Sequence, residues 1–341
     1  MESELPITVD ALNQMIMLYK RFDKKKIANI LVMMETKNIK PSLLTYKLLI
    51  DVKGQSNDIL RMEQLIEKMK TDAVEPDIHL LALIAKHYLS MGSIGKAETF
   101  IKEMEERKWE DISDARRTLL LFYASLGKVD GVYKIWKDCE SDLKMKDCIA
   151  AIEAWGKLGK VEEAESVFEL MHHKWKNLRS KHYSLLLNIF IKNKLVTKGK
   201  DLVKRMSDNG LHVGHLTWDS VVRLYIEAGD VEKADSILQK LAQTKQMKPS
   251  FKICTAVMDM YARRGDIHNT EKLFHRLREL GYTGHILPFK ILNQAYINAK
   301  TPAYGLLERM KADNVYPDEV ILRRLTLQDP FRKTAASELL D

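Results

Sequence analysis

Apolar side chains recur along this chain three and four residues apart, as in Tyr46, Leu49 and Ile50 or Trp218, Val221, Val222 and Tyr225. That spacing collects them on one face of an α-helix, so each run predicts an amphipathic helix packed through its apolar stripe. A second kind of run reads Val161, Ala164, Val167, Phe168, Met171 in one place and Ile94, Ala97, Phe100, Ile101, Met104 in another. The two kinds alternate with a long period: Leu43 to Ile78 and Met145 to Ser180 are each 35 residues. Rows begun at Val9, Leu43, Ile78, Ser113, Met145, Ser180, His215, Phe251 and Ile286 bring like residues into columns. Small differences in row length fall where turns are expected, and turns absorb them.

The eleventh column holds Tyr19, Tyr88, Tyr123, Trp155, Phe190, Tyr225, Tyr261 and Tyr296, broken only by Lys53. Gly92, Gly127, Gly159, Gly229 and Gly265 follow in another column, where glycine takes the positive φ that ends a helix. In the second helix Ala97, Ala164 and Ala234 share a column, and a small residue there lets two helices approach closely. Met34, Met69, Met104, Met171, Met206 and Met310 close the stripe as adaptable core fillers rather than as metal ligands. Pro41-Ser42, Pro76-Asp77 and Pro317-Asp318 stop one unit and supply a cap for the next helix.

Each unit is therefore a helical hairpin, and a lone hairpin cannot bury both of its faces. Stacking with a small rotation per unit predicts an all-α, right-handed superhelical solenoid of about nine helix-turn-helix hairpins. The units run 9–42, 43–77, 78–112, 113–144, 145–179, 180–214, 215–250, 251–285 and 286–318. Residues 1–8 form a flank, and 319–341 a capping helix and tail.

These columns resemble the pentatricopeptide repeat family in its P-type form, over residues 9–318. Tetratricopeptide repeats have a period of 34 and a Trp-x2-Leu-Gly signature that forms no column here. The resemblance implies a single-stranded RNA partner in plant-type organelles, one base per unit, read by the fifth and last residues. The fifth and last places hold Asn13 with Ser42, Lys47 with Asp77, Ala82 with Ile112, Arg117 with Lys144 and Ile149 with Arg179. They continue with Ser184 and Gly214, Asp219 and Ser250, Thr255 and His285, and Lys290 and Asp318. Asn13 with Ser42 is a combination that in the family favours a pyrimidine, and Thr255 fits a purine. Ala82 with Ile112 offers no side-chain hydrogen bond to a base edge, and Lys47 and Lys290 can pair with Asp77 and Asp318 instead.

In the family an apolar residue at the second place sandwiches each base, a task that Leu44, Leu216 and Leu287 suit. Lys146, Lys181 and Lys252 stand at that place elsewhere and are candidates for phosphate contact, at the expense of stacking worth about 1–3 kcal/mol per base. Arg21, Lys157, Lys192 and Arg263, at the end of the first helix, are further phosphate candidates, with solvated helix-end charges as the alternative. A net charge of +8 and a pI near 9.1 agree with a polyanionic partner without requiring one.

Sites for chemistry are not expected. Gly92-Ser93-Ile94-Gly95-Lys96 lacks the spacing of a phosphate loop and falls in a repeat turn. Cys139, Cys148 and Cys254 form no CxxC pair, and with His172 and His173 they match no metal-ligand spacing, so they read as reduced, buried thiols. The His-x-Glu and Pro-Cys-x-x-Cys of a cytidine deaminase do not occur. The expectation is a protein that is not an enzyme, takes no cofactor, metal or small-molecule substrate, and has no membrane span. Its expected place is mitochondrial, with the chloroplast as alternative, after loss of a transit peptide not found in this sequence. There it acts in transcript processing, editing, stability or translation. The alternative role is a protein-binding helical scaffold or homodimer within an organellar RNA-processing complex, suggested by Ala82, Ile112 and Ile149 at reading places.

Overall fold

The computed structural model describes residues 7–322 except 110, 176, 212–213, 244–247 and 304; the side chains at 215, 216 and 243 also lie outside the description. Every regular element among the described residues is helical. The chain divides into two compact units, Met1–Val167 and Phe168–Asp341. The first contains α1 (Val9–Phe22) and α2 (Ile27–Thr36), then α3 (Leu43–Gln55) and α4 (Ile59–Thr71), and α5 (Ile78–Ser90) and α6 (Ile94–Glu106). It continues with α7 (Ile112–Ser125), α8 (Val129–Glu140) and α9 (Met145–Leu158), and the division falls inside α10 (Val161–Lys174). The second contains α11 (Ser180–Lys192) and α12 (Val196–Asp208), α13 (His215–Glu227) and α14 (Val231–Gln243), α15 (Phe251–Arg263) and α16 (Ile267–Glu279), and α17 (Ile286–Asn298) and α18 (Leu306–Ala312).

Local chemistry sets the helix ends. Ser42 and Thr45 form a reciprocal capping box at the start of α3, and the Asp77 carboxylate accepts from the Leu80 amide, 2.7 Å, at the start of α5. Gly92, Gly127, Gly159, Gly229 and Gly265 all turn the chain with φ between 71° and 74°. Helix α7 starts at Ile112, one residue ahead of the row heading Ser113, because Asp111 caps it by accepting from the Asp114 amide.

Within each compact unit the first helices of successive hairpins pack on one another. These pairs are α1 on α3, α3 on α5, α5 on α7 and α7 on α9, and in the second unit α11 on α13, α13 on α15 and α15 on α17. Most also pack on the helix that follows, for example α5 on α6 and α15 on α16, which gives two layers within each unit. The core is shared between neighbours: Leu49 and Val52 of α3 join Leu12, Ile16 and Ile30, whereas Tyr46 and Ile50 of α3 join Leu80 and Ile84. One helix thus divides its apolar side chains between two hairpins. The six column methionines and Ala97, Ala164 and Ala234 are all buried.

Polar latches reinforce three of these junctions. The Tyr88 hydroxyl and Lys96 both donate to Glu63, Tyr123 and Lys134 to Glu105, and Tyr296 and Arg309 to Glu271. In the last of these, Arg309 reaches both Glu271 oxygens, at 2.8 and 2.9 Å. Burial alone would raise the Glu271 carboxyl, but the hydrogen bonds and charge of Arg309, with the Tyr296 hydroxyl, hold it below the usual carboxylate range. Residues 319–322 are helical with Ile321 buried, and the remainder of the expected cap lies outside the described residues.

A carboxyl depressed in the fold contributes stability above its unfolded value, about 4.3, and loses it as pH falls through the folded value. Glu271→Gln is therefore expected to lower the unfolding free energy by about 1–3 kcal/mol at pH 7. The gap from wild type should narrow below about pH 4, read by urea denaturation across pH.

Candidate nucleic-acid interface

The fifth residue of a hairpin lies on its first helix, and the last residue caps or precedes the next first helix, except Ile112, which opens α7; stacking brings several of these pairs together. Four such pairs close on themselves. Asn13 Nδ2 donates to Ser42 Oγ at 3.1 Å, Ser250 Oγ donates to Asp219 Oδ2 at 2.8 Å, Lys47 stands 3.8 Å from Asp77, and Lys290 pairs with Asp318. The pairs differ in accessibility. Asn13 is fully buried, and its Oδ1 accepts from Thr45 Oγ1 at 2.7 Å, so both ends of the amide are committed. The Lys47 and Lys290 pairs are partly exposed.

Several of the other polar reading places are engaged by groups near them in sequence. Arg117 donates to the Ser113 carbonyl and pairs with Asp114, while Lys144 lies 3.9 Å from Asp142. Ser184 and Thr255 are buried and donate to backbone carbonyls of the preceding turn, Ser184 to Lys181 and Thr255 to Phe251 and Lys252. His285 is exposed, its ring centred 4.6 Å from that of Phe251.

At the second place Leu44 and Leu287 are exposed, as are Lys146, Lys181 and Lys252; the Leu216 side chain lies outside the described residues. The second places of the third and fourth hairpins are bridged, His79 Nε2 lying 3.2 Å from Asp114 Oδ2. Among the helix-end cations Arg21 and Lys192 are exposed, Lys157 donates to Ser125 Oγ at 3.3 Å, and Arg263 pairs with Asp259 at 2.7 Å on its own helix.

One cluster escaped sequence reasoning. Asp51 of α3 pairs with Lys20 of α1 and with His87 Nε2 of α5 at 2.9 Å, linking three hairpins. Burial would raise the Asp51 carboxyl, but its bonds and charge contacts with Lys20 and His87 hold it below the ordinary value. The signal was present in spacing: the three residues stand about one repeat apart, and the neighbouring Gly54 leaves room for the His87 ring. Among the described residues no group of three or more His, Cys, Asp or Glu could hold a metal, and no helix is long and apolar enough to cross a membrane. The three thiols are buried and form no disulfide, and burial pushes those of Cys139 and Cys254 up to about 12.

Tandem helical hairpins, several with an exposed lysine at the second place, define a helical-repeat protein. The chain belongs to the pentatricopeptide repeat family: the profile described as Pentatricopeptide repeat domain matches residues 7–56 and 29–89, and that described as PPR repeat matches 150–174, 181–211, 216–243 and 252–282. Two proteins of Arabidopsis thaliana, the mitochondrial pentatricopeptide repeat-containing proteins At1g15480 and At1g80270, are each 49% identical over 336 residues. These matches cover 98% of this chain but 57% and 56% of the relatives, so the chain spans little more than half their length. The fold is similar to that of the pentatricopeptide repeat protein PPR10 in its crystal structure with an 18-nt psaJ RNA element, with a TM-score of 0.63 and 16% identity over 96% of this chain and 53% of that one.

A Cβ added at Gly54 would fall 2.2 Å from His87 Cγ. Gly54→Ala is accordingly expected to displace the ring from Asp51 and to destabilise the fold by about 1–3 kcal/mol, measured by urea denaturation. Iodoacetamide at pH 8 should leave Cys139 and Cys254 unlabelled in the native protein over a time that labels them completely in urea.

Proposed function

We propose that this chain binds single-stranded RNA in mitochondria, without catalysis of its own, and so acts in transcript processing, editing, stability or translation. The observation that carries the reading is the placement of Lys146, Lys181 and Lys252, all exposed, at the place that faces a strand in this family. The location follows the mitochondrial names of the relatives that are 49% identical. RNA binding follows the family, supported by the net charge of +8.

On this reading the strand is held chiefly by its phosphates. Leu44 and Leu287 each offer a base an apolar surface, and Arg21 and Lys192 add positive charge at helix ends. The reading places differ in what opening them costs. A partly exposed pair such as Lys47 with Asp77 is worth about 0–1 kcal/mol, so a base can displace it. Withdrawing Asn13 from Ser42 and Thr45 would strip hydrogen bonds from a buried amide, at about 1–3 kcal/mol for each unsatisfied group. Specificity therefore rests on the second and ninth hairpins more than on the first, where the familiar residue combination lies. The exposed Ile112 and the His79 bridge leave the junction of the third and fourth hairpins without base-reading groups.

Single-strand binding loses about 0.7 in the slope of log affinity against log salt for each phosphate contact removed. Replacing Lys146, Lys181 and Lys252 together by glutamate is expected to weaken RNA binding and to lower that slope by about 2, with helicity unchanged. Unchanged affinity and slope in the folded variant would refute the proposed role of these lysines. A salt-resistant complex with an organellar protein, surviving nuclease, would favour the scaffold.

A further inference from the structure

The turn glycines Gly92, Gly127 and Gly159 put the second helices of the third, fourth and fifth hairpins in a common register. Thirteen residues after Gly92 stands Glu105, which accepts from the Tyr123 hydroxyl and from Lys134, seven residues after Gly127. One hairpin further on, the same places hold Glu140, Trp155 and Ser166. Trp155 has no hydroxyl, and Ser166 donates to the Glu162 carbonyl of its own helix at 2.9 Å. Both groups that take up Glu105 are therefore missing opposite Glu140, which is exposed. A second cation place is altered as well. Lys96, four residues after Gly92, bonds Glu63 and lies 5.8 Å from the centre of the Tyr88 ring, but its counterpart four residues after Gly159 is Glu163.

An aromatic groove of about 670 Å³ lies at this junction of α8 and α10. Tyr133, 45% exposed, has its ring centred 4.5 Å from that of Trp155 and donates its hydroxyl to Glu163 at 2.7 Å. Trp136, Glu140 and Glu162 complete the wall. Lys134 and Lys137 also border the groove, but Lys134 is committed to Glu105, which leaves Lys137 against three carboxylates. Aromatic faces beside carboxylates attract a cation and disfavour phosphate. None of these residues stands at a reading, second or helix-end place of the candidate RNA surface.

We propose that this groove receives an arginine side chain of a partner protein, its guanidinium stacked on Tyr133 and paired with Glu140, in the place that Lys134 fills one hairpin earlier. The occupant follows from the neighbouring junctions, where a cation of this chain meets the carboxylate beside the ring. Arginine suits the place better than lysine, because its planar head stacks on an aromatic face and presents a fork to a carboxylate. The groove is large enough to hold that side chain together with its flanking residues. This inference stands apart from strand binding and survives if the chain binds no RNA.

The probe is a blocked peptide of alternating arginine and glycine, compared with its citrulline counterpart, which keeps the planar head without the charge. Binding to the full chain is read by calorimetry at low salt, and folding by circular dichroism. The arginine peptide is expected to bind at least about tenfold more tightly than the citrulline peptide. Glu140→Lys should weaken it by at least about tenfold with helicity unchanged, and so, independently, should Ser166→Lys, which supplies from within the chain the cation that Lys134 supplies to Glu105. An arginine peptide that does not bind, that binds no better than its citrulline counterpart, or that binds both folded lysine variants undiminished would overturn the proposal. So would a dimer of the chain alone, seen in sedimentation, that Ser166→Lys dissociates, because it would assign the groove to a second copy.

Discussion

Leu49 and Val52 point back to Leu12, Ile16 and Ile30, while Tyr46 and Ile50 of the same helix point forward to Leu80 and Ile84. This division of one helix between two neighbours is the constraint on which the fold depends. A hairpin of this length has too little apolar surface to exclude water alone, and its helices are short enough to be marginal in isolation. Stacking meets the need and fixes the register at which consecutive first helices meet. That register determines which places are covered, the third and seventh, and which stand open, the second in the hairpins that carry Leu44, Lys146, Lys181 and Lys252. The candidate interface is a by-product of the packing rule.

Charge follows the same geometry. Glu63, Glu105 and Glu271 are each taken up by a tyrosine hydroxyl and a lysine or arginine of the next hairpin, and Asp51 by Lys20 and His87. Several acidic side chains are thereby spent on holding hairpins together, while the lysines at second places remain exposed. On the proposed reading, a surface favourable to phosphates arises from this separation of roles as much as from the total of +8.

The helical class was legible because apolar residues recur at helical spacing and because glycine and capping residues punctuate the runs at a constant interval. Burial of the column methionines and alanines follows from the same stripes. The state of the reading places was less legible. Asn13 with Ser42 looks like an open hydrogen-bonding pair until Thr45, two residues into the next helix, is seen to hold the amide from the other side. Arg117 and Arg263 look like cations directed at a strand, but Asp114 and Asp259 lie three and four residues away on their own helices and capture them. Those partners could have been found by helical spacing. The Lys20, Asp51 and His87 cluster shows in the sequence only as a spacing of about one repeat, which becomes a contact once it is known which faces of three hairpins meet.

The central claim is that the chain grips a single strand mainly through its backbone, with base discrimination confined to a few hairpins. Selection of a randomised single-stranded RNA pool on the folded protein at moderate salt tests this most directly. The expected outcome is retention of RNA with clear base preference at few positions, none of them set by the hairpin that carries Asn13. Failure of the folded protein to retain any RNA would contradict the claim outright, and a strong preference at every position would contradict the limited reading assigned to its paired residues.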